Sequence, residues 1–297
     1  MTSMVSEPLK SERTAAFVGL GAMGAPMASH WALRGYLKAV WNRTPERAQA
    51  FAQEHHVIAL QHLGELPTTA KILALCVSKD EDVLMVIETL LEGLTSEHLV
   101  IDFSTVSPDT AKLAAKMVRR CGADFLDAPV TGGVEGASHG TLAIMVGGRL
   151  GSLEKIRPLL ETIAAKIIHM GDVGMGQSAK AVNQVLCAGI NEAVTEALAF
   201  GHHLGLDMEK VIEAMSGGAA GNWFLDKRGK SMIEGRFTPG FKLGLHLKDL
   251  EIVAAMAQDL GITLPLTETT REHYVQLLEQ GHGDDDISAL YRLKRPN

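Results

Sequence analysis

The segment that most restricts what this chain can fold into is Ala15-Ala16-Phe17-Val18-Gly19-Leu20-Gly21-Ala22-Met23-Gly24. Residues 15–18 read as a short buried strand, and Ala25 to Arg34 reads as a helix. Glycines at GxGxxG spacing therefore fill a tight strand-to-helix turn. There Gly19 permits the turn, Gly21 lets the backbone approach a pyrophosphate, and Gly24 lets helix and strand pack closely. The free N–H groups and partial positive charge of the helix start favour the anion. The turn Gly19, Leu20, Gly21, Ala22, Met23 and Gly24 is thus assigned to a dinucleotide. The plainer alternative is an ordinary glycine turn of an α/β protein.

The next strand ends in Trp41-Asn42-Arg43-Thr44. Chains that bind NAD carry an Asp or Glu near this point for the ribose 2′-OH, and none is present here. A guanidinium flanked by an amide and a hydroxyl suits a 2′-phosphate. Asn42, Arg43 and Thr44 therefore predict NADP as cofactor, with NADPH preferred over NADH. The alternative is that Arg43 is a surface residue or stacks on the adenine without discriminating.

The rest of the first half alternates. Strands are expected at 37–41, 57–60, 72–77, 99–103, around Phe125 and Leu126, at 142–146 and at 166–169, with helices at 45–54, 80–91 and 108–120. This pattern predicts a doubly wound, mostly parallel sheet covered by helices. From Ser178 the apolar spacing turns helical (178–204, 208–215, 224–233, 244–260, 267–280), and no strand is expected. The expected architecture is α/β. It has a loose extension over 1–13, an NADP-binding Rossmann-type domain over 14–175 and an all-helical domain over 176–297, joined by the long helix. A length of 297 residues suits two cores. The triplet Asp284-Asp285-Asp286 reads as a solvated turn or helix cap.

Several function classes are excluded. The formal net charge is -7 and no run of Lys and Arg occurs, so no nucleic-acid partner is expected. No apolar stretch approaches the roughly 20 residues of a membrane span, and the polar residues 1–13 do not read as a secretory signal. A cytoplasmic protein without membrane partners is expected. Cys76, Cys121 and Cys187 are far apart and read as reduced, mostly buried thiols. The adjacent pairs His55-His56 and His202-His203 cannot each face one ligand, His139 reads as an exposed loop histidine, and no metal is expected.

Two later segments carry chemistry. In Asp127-Ala128-Pro129-Val130-Thr131-Gly132-Gly133, a Thr-Gly-Gly turn after a strand offers backbone N–H groups in a concavity that suits a carboxylate. In Gly174-Met175-Gly176-Gln177-Ser178-Ala179-Lys180-Ala181-Val182-Asn183-Gln184, Lys180 and Asn183 share one helix face, with Gln184 beside them. Apolar neighbours imply a half-buried lysine, whose pKa can be drawn toward working pH for acid–base chemistry. Alone, such a lysine would more simply pair with a carboxylate.

Taken together, GLGAMGAPMA, WNRTPERA, CVSKD, IDFSTVSP, DAPVTGGVEGA with GTLAIMVGG, GxxGxGxxxKxxNQ and FKLGLHLKDLEI resemble the β-hydroxyacid dehydrogenase family. Within it are 3-hydroxyisobutyrate dehydrogenase, tartronate semialdehyde reductase, and succinic semialdehyde and glyoxylate reductases. The resemblance runs from residue 17 to about 252. It implies Lys180 as the lysine that gives a proton to a carbonyl oxygen during reduction. Thr131, Gly132 and Gly133 match a carboxylate-binding Ser-Gly-Gly, with Thr here in place of Ser. Asn183 matches an asparagine that orients substrate or lysine, and Thr105 a residue near the nicotinamide. Val77 and Ser78 match a cofactor-lining loop, and Lys248 a second lysine toward cofactor and substrate. Asn222 falls in a segment bordering the substrate pocket, where many relatives carry Ser.

The resemblance implies an oxidoreductase interconverting a small hydroxyacid with its semialdehyde or oxo acid. The alternatives are an imine reductase, which characteristically has another residue where Lys180 stands, or a non-catalytic dinucleotide-binding scaffold, which would be expected to lose that lysine. The apolar face of the long helix predicts a homodimer or homotetramer.

Overall fold

The computed structural model describes residues 14–295, and the extension expected over 1–13 lies outside them. The chain divides into two compact units, the first reaching Lys180 and the second running from Ala181.

The first unit is built on a nine-stranded sheet. Strands β1 (Ala15–Val18), β2 (Leu37–Trp41), β3 (Ile58–Ala59), β4 (Ile72–Leu75), β5 (Leu99–Asp102) and β6 (Asp124–Asp127) lie parallel in the order β3-β2-β1-β4-β5-β6. Next come β7 (Val130–Thr131), β8 (Leu142–Gly147) and β9 (Ala164–Gly171). β8 pairs antiparallel with β6 and β7 and parallel with β9. The mostly parallel, Rossmann-type sheet is thus as expected.

Helices α1 (Gly24–Leu33), α2 (Pro45–His55), α3 (Leu66–Thr69), α4 (Asp80–Leu90), α5 (Pro108–Arg120), α6 (Gly133–His139) and α7 (Leu150–Leu160) accompany the strands. Their starts are legible. Pro45 and Pro108 open α2 and α5, where the missing N–H costs nothing, and Ser107 caps α5 by accepting from Thr110 N at 3.1 Å. Strand residues alternate between two cores: Ala15, Phe17, Ile72 and Ala74 pack on one face, and Ala16, Val18, Leu73 and Leu75 on the other. Phe17, Trp31 and Phe103 form an aromatic cluster that locks α1 onto β1, with Phe17 and Trp31 centroids 5.4 Å apart, edge to face.

Helix α8 (Met175–His203) crosses the division. The second unit continues with α9 (Met208–Met215), α10 (Trp223–Ile233), α11 (Leu243–Leu260) and α12 (Pro265–Glu279), then a 3₁₀ turn at Ile287–Leu293. Its core gathers residues such as Leu198, Phe224, Leu250 and Tyr274. Among its described residues the only strand-like pairing is the bridge Lys242–Asp286.

Several expectations need correction. Helix α7 was not expected, although Leu153, Ile156 and Leu159 follow helical spacing. Gly151 and an internal Pro158 obscure the pattern. His139 ends α6 instead of lying in a loop, and its Nδ1 donates to the Glu135 carbonyl of its own helix, 2.7 Å away. The three cysteines are half-buried, each packed against a hydrophobic core. Asp286 does cap the final turn, yet it is buried. Its carboxylate accepts from Gly240, Phe241 and Ser288 N–H groups and faces Arg228 Nε at 3.5 Å.

Candidate active site

The strand order reverses between β1 and β4, so their C-terminal ends open a crevice where α/β sheets bind ligands. The turn after β1 lies there. A Cβ on Gly19 would sit 2.2 Å from the Cys76 carbonyl oxygen, and one on Gly24 1.9 Å from the Gly19 carbonyl oxygen. Packing alone demands those glycines. On Gly21 a Cβ would meet no protein atom within 4 Å, so its bareness serves open space, as a closely approaching pyrophosphate requires. The residues present fit a dinucleotide.

The adjoining groove is lined by Asn42, Arg43, Thr44, Val77 and Ser78, with Arg47 and Asp82 also facing it. The Asn42 side chain is spent on internal bonds. Its Oδ1 accepts from Leu20 N at 2.9 Å and its Nδ2 donates to the Thr44 carbonyl at 3.0 Å. It ties the glycine turn to the end of β2. Arg43 is exposed and pairs with Asp82 at 3.0 Å. Val77 N donates to Ser104 Oγ at 2.9 Å, coupling the loop after β4 to the loop after β5 that holds Thr105.

The lysine stands in a buried corner of the same unit. Asp127, at the end of β6, accepts from Gly174 N at 2.8 Å and Gln177 N at 2.9 Å, anchoring the start of α8. Gly147 and Gly176 must be bare here, since their Cβ atoms would lie 2.4 Å from Asp127 Oδ1 and from the Met145 carbonyl oxygen respectively. Gln177 accepts from Val106 N at 3.2 Å and donates to the Ser104 carbonyl at 2.8 Å, so its amide brackets Thr105. One turn on, Lys180 is 8% exposed and its Nζ donates to the Val130 carbonyl at 2.9 Å. That carbonyl immediately precedes Thr131-Gly132-Gly133, where Gly132 and Gly133 take φ of 129° and 65°. The structure therefore brings Lys180 and the Thr-Gly-Gly turn together.

Two buried carboxyls underlie this corner. Burial pushes Asp102 up to about 7, partly opposed by hydrogen bonds from Ser104. Burial also raises Asp127, against the N–H groups of Gly174 and Gln177. The Cys76 thiol is pushed up to about 12 by burial and by Asp102, so it is no nucleophile. Asp102, Asp127 and Gln177 fall inside the motifs read from the sequence, but no role was assigned to them. Their signal was only polarity at the ends of buried runs.

The remaining expected residues lie in the second unit. Asn183 Nδ2 donates to Gln184 Oε1 at 2.7 Å, and Gln184 Nε2 to Asp249 Oδ2 at 2.5 Å. Lys248 pairs with Asp249 Oδ1 at 2.8 Å. Asn222 is the N-cap of α10, its Oδ1 accepting from Leu225 N at 3.0 Å. Beside it Trp223 is exposed and Phe224 buried. Among the described residues no group of three or more His, Cys, Asp or Glu side chains could hold a metal ion.

A Rossmann-ordered sheet with a bare glycine turn at its switch point, followed by a helical unit, defines an NAD(P)-dependent oxidoreductase. Residues 14–171 match the NAD binding domain of 6-phosphogluconate dehydrogenase, and 174–294 match the NAD-binding domain of NADP-dependent 3-hydroxyisobutyrate dehydrogenase. The 2-hydroxy-3-oxopropionate reductase of Escherichia coli K12 is 36% identical over 280 residues, covering 92% of this chain and 94% of its own. The NAD-dependent L-serine dehydrogenase of Pseudomonas aeruginosa is 33% identical, covering 95% and 97%. The 3-hydroxyisobutyrate dehydrogenase of Mycobacterium tuberculosis, solved with L-serine, is 32% identical with a TM-score of 0.85, covering 96% and 99%. The chain belongs to the 3-hydroxyisobutyrate dehydrogenase family of β-hydroxyacid dehydrogenases, oxidoreductases acting on CH–OH groups.

Proposed function

We propose that this chain is an NADPH-preferring reductase that interconverts a small hydroxyacid with its semialdehyde or oxo acid, with Lys180 as general acid and base. The observation that carries this reading is the buried Lys180 Nζ held at the Val130 carbonyl, one residue before Thr131-Gly132-Gly133. A bound nicotinamide supplies the hydride in reduction and accepts it in oxidation. Lys180 Nζ gives a proton to the carbonyl oxygen as it becomes a hydroxyl, and takes it back in reverse. Val130 keeps that ammonium beside the turn, and Thr131, Gly132 and Gly133 hold the substrate carboxylate. The family pattern assigns Asn183, Asn222 and Lys248 to substrate, and Thr105 and Lys248 to the cofactor. Leu20, Ala22 and Met23 complete the pyrophosphate turn with its glycines.

Arg43 and Thr44 would read the 2′-phosphate. The family includes a relative named as NAD-dependent, so the preference rests on this groove and not on kinship. Leu186, Phe200, Leu204 and Leu260 stay 58–70% exposed, which supports burial in a homodimer or homotetramer, measurable by light scattering. Among the described residues no helix is long and apolar enough to cross a membrane. We place the enzyme in the cytoplasm and its domain boundary at 175/176.

The test is cofactor oxidation with glyoxylate, succinic semialdehyde, tartronate semialdehyde and methylmalonate semialdehyde, run with NADPH and NADH. Turnover of one acid, faster with NADPH, is expected. Silence on all four with cofactor binding intact overturns the substrate class.

A further inference from the structure

We propose that Asp82 is a specificity-determining residue: it competes with a cofactor 2′-phosphate for Arg43 and so limits the preference for the phosphorylated dinucleotide. This rests on the reading of Arg43 as the partner of that phosphate. The end of β2 carries no acid, yet the fold returns one to the same groove from 39 residues further along the chain. Asp82 stands in the first turn of α4, where the helix start stabilises negative charge. Its Oδ1 accepts from Arg43 Nη1 at 3.0 Å. The two side chains differ in freedom, Asp82 being 20% exposed and Arg43 74%. The carboxylate is the fixed partner and the guanidinium the movable one. The charged side chains facing this groove are Arg43, Arg47 and Asp82.

A phosphate monoester carries nearly two negative charges at neutral pH. To engage Arg43 it must draw the guanidinium from Asp82 and then sit near a carboxylate. Both effects weaken binding, each modestly, because the pair is exposed and screened. A ribose 2′-OH meets neither cost and can donate to the same carboxylate. Asp82 therefore acts on one cofactor and spares the other.

The test is calorimetric titration of the cofactor-free protein with adenosine 2′,5′-bisphosphate and adenosine 5′-monophosphate. Wild type, Asp82→Asn, Asp82→Ser, Arg43→Ala and the Arg43→Ala/Asp82→Asn double variant are compared. Asp82→Asn and Asp82→Ser should tighten the bisphosphate about 3- to 10-fold, less at high salt, and leave the monophosphate within about twofold. The double variant should lose that gain. Unchanged bisphosphate affinity in both Asp82 variants, or equal tightening of both ligands, overturns the proposal. A bisphosphate advantage that Arg43→Ala abolishes while the Asp82 variants leave it unaltered overturns the role of Asp82 alone. Equal binding of the two ligands by wild type, unaffected by Arg43→Ala, overturns the Arg43 reading and this inference with it.

Discussion

The groove at Arg43 and the corner at Lys180 both belong to the first unit, but they are built oppositely. Arg43 is 74% exposed and held by one hydrogen bond to Asp82. Lys180, Asp127 and Gln177 are 8%, 0% and 2% exposed; hydrogen bonds link Asp127 and Gln177 through Ser104 to Val77, and Lys180 is held at the Val130 carbonyl. In the proposed reading, the cofactor substituent that varies between NAD and NADP would be met by an exposed side chain. The lysine proposed as proton donor is held instead at a backbone carbonyl. On this contrast, changes in the corner should cost turnover or stability, and changes in the groove should alter only which cofactor binds.

The largest effect is expected at Lys180. Lys180→Met should lower kcat by about a thousandfold, within the usual range for loss of a positioned acid, while NADPH binding persists by fluorescence titration. Turnover within tenfold of wild type would remove the lysine from the reaction. Next is Asp127→Ala, which strands the buried N–H groups of Gly174 and Gln177. A loss of about 3 kcal/mol in urea unfolding is expected, against about 0.5 kcal/mol or less for Asp82→Ala in the groove. Equal losses at both sites would erase the contrast.

Asp102 gives the corner a pH signature. Its carboxyl is raised from 3.8 to about 7, so between those values the folded protein binds more protons than the unfolded chain. Stability from this group is therefore lost as pH rises from about 4 toward 7. Its Oδ2 is buried without a hydrogen-bond partner, consistent with a poor site for the charged form. Asp102→Asn should gain on wild type by about 2 kcal/mol between pH 5 and pH 8, followed by chemical denaturation. A difference that stays flat across that range rejects the reading.

The groove was more legible in the sequence than the corner. Gly19, Gly21 and Gly24 announce themselves by their fixed spacing between a strand and a helix, and Arg43 by following a strand end that carries no acid. The parallel strands were legible for the same local reason, since burial on both faces leaves unbroken apolar runs such as Ile72 to Leu75. What joins distant segments was not. Asp127 reaches Gly174 across 47 residues and Gln177 reaches Ser104 across 73, pairings that no local period encodes. Helix α6 also hid, because Gly133, Gly136 and Ala137 offer no apolar stripe. Asn42 was seen as a polar residue at the right place, but its bonds to Leu20 and Thr44 make it a brace for the turn.

Arg43→Ala carries the smallest expected effect and tests the exposed side of the contrast most directly. A charge-assisted bond to phosphate from a buried, preformed arginine would be worth more, but this guanidinium is largely solvated and must first leave Asp82. NADPH affinity should fall about tenfold, with NADH unchanged and kcat at saturation preserved. If NADH weakens equally, Arg43 stacks on the adenine that both cofactors share. The phosphate would then fall to Thr44 or Arg47, on the same exposed rim. If NADPH binding is untouched and kcat drops instead, the groove is coupled to the chemistry after all. The bond from Val77 to Ser104, which joins the groove's inner loop to the bracket around Thr105, would be the route to examine.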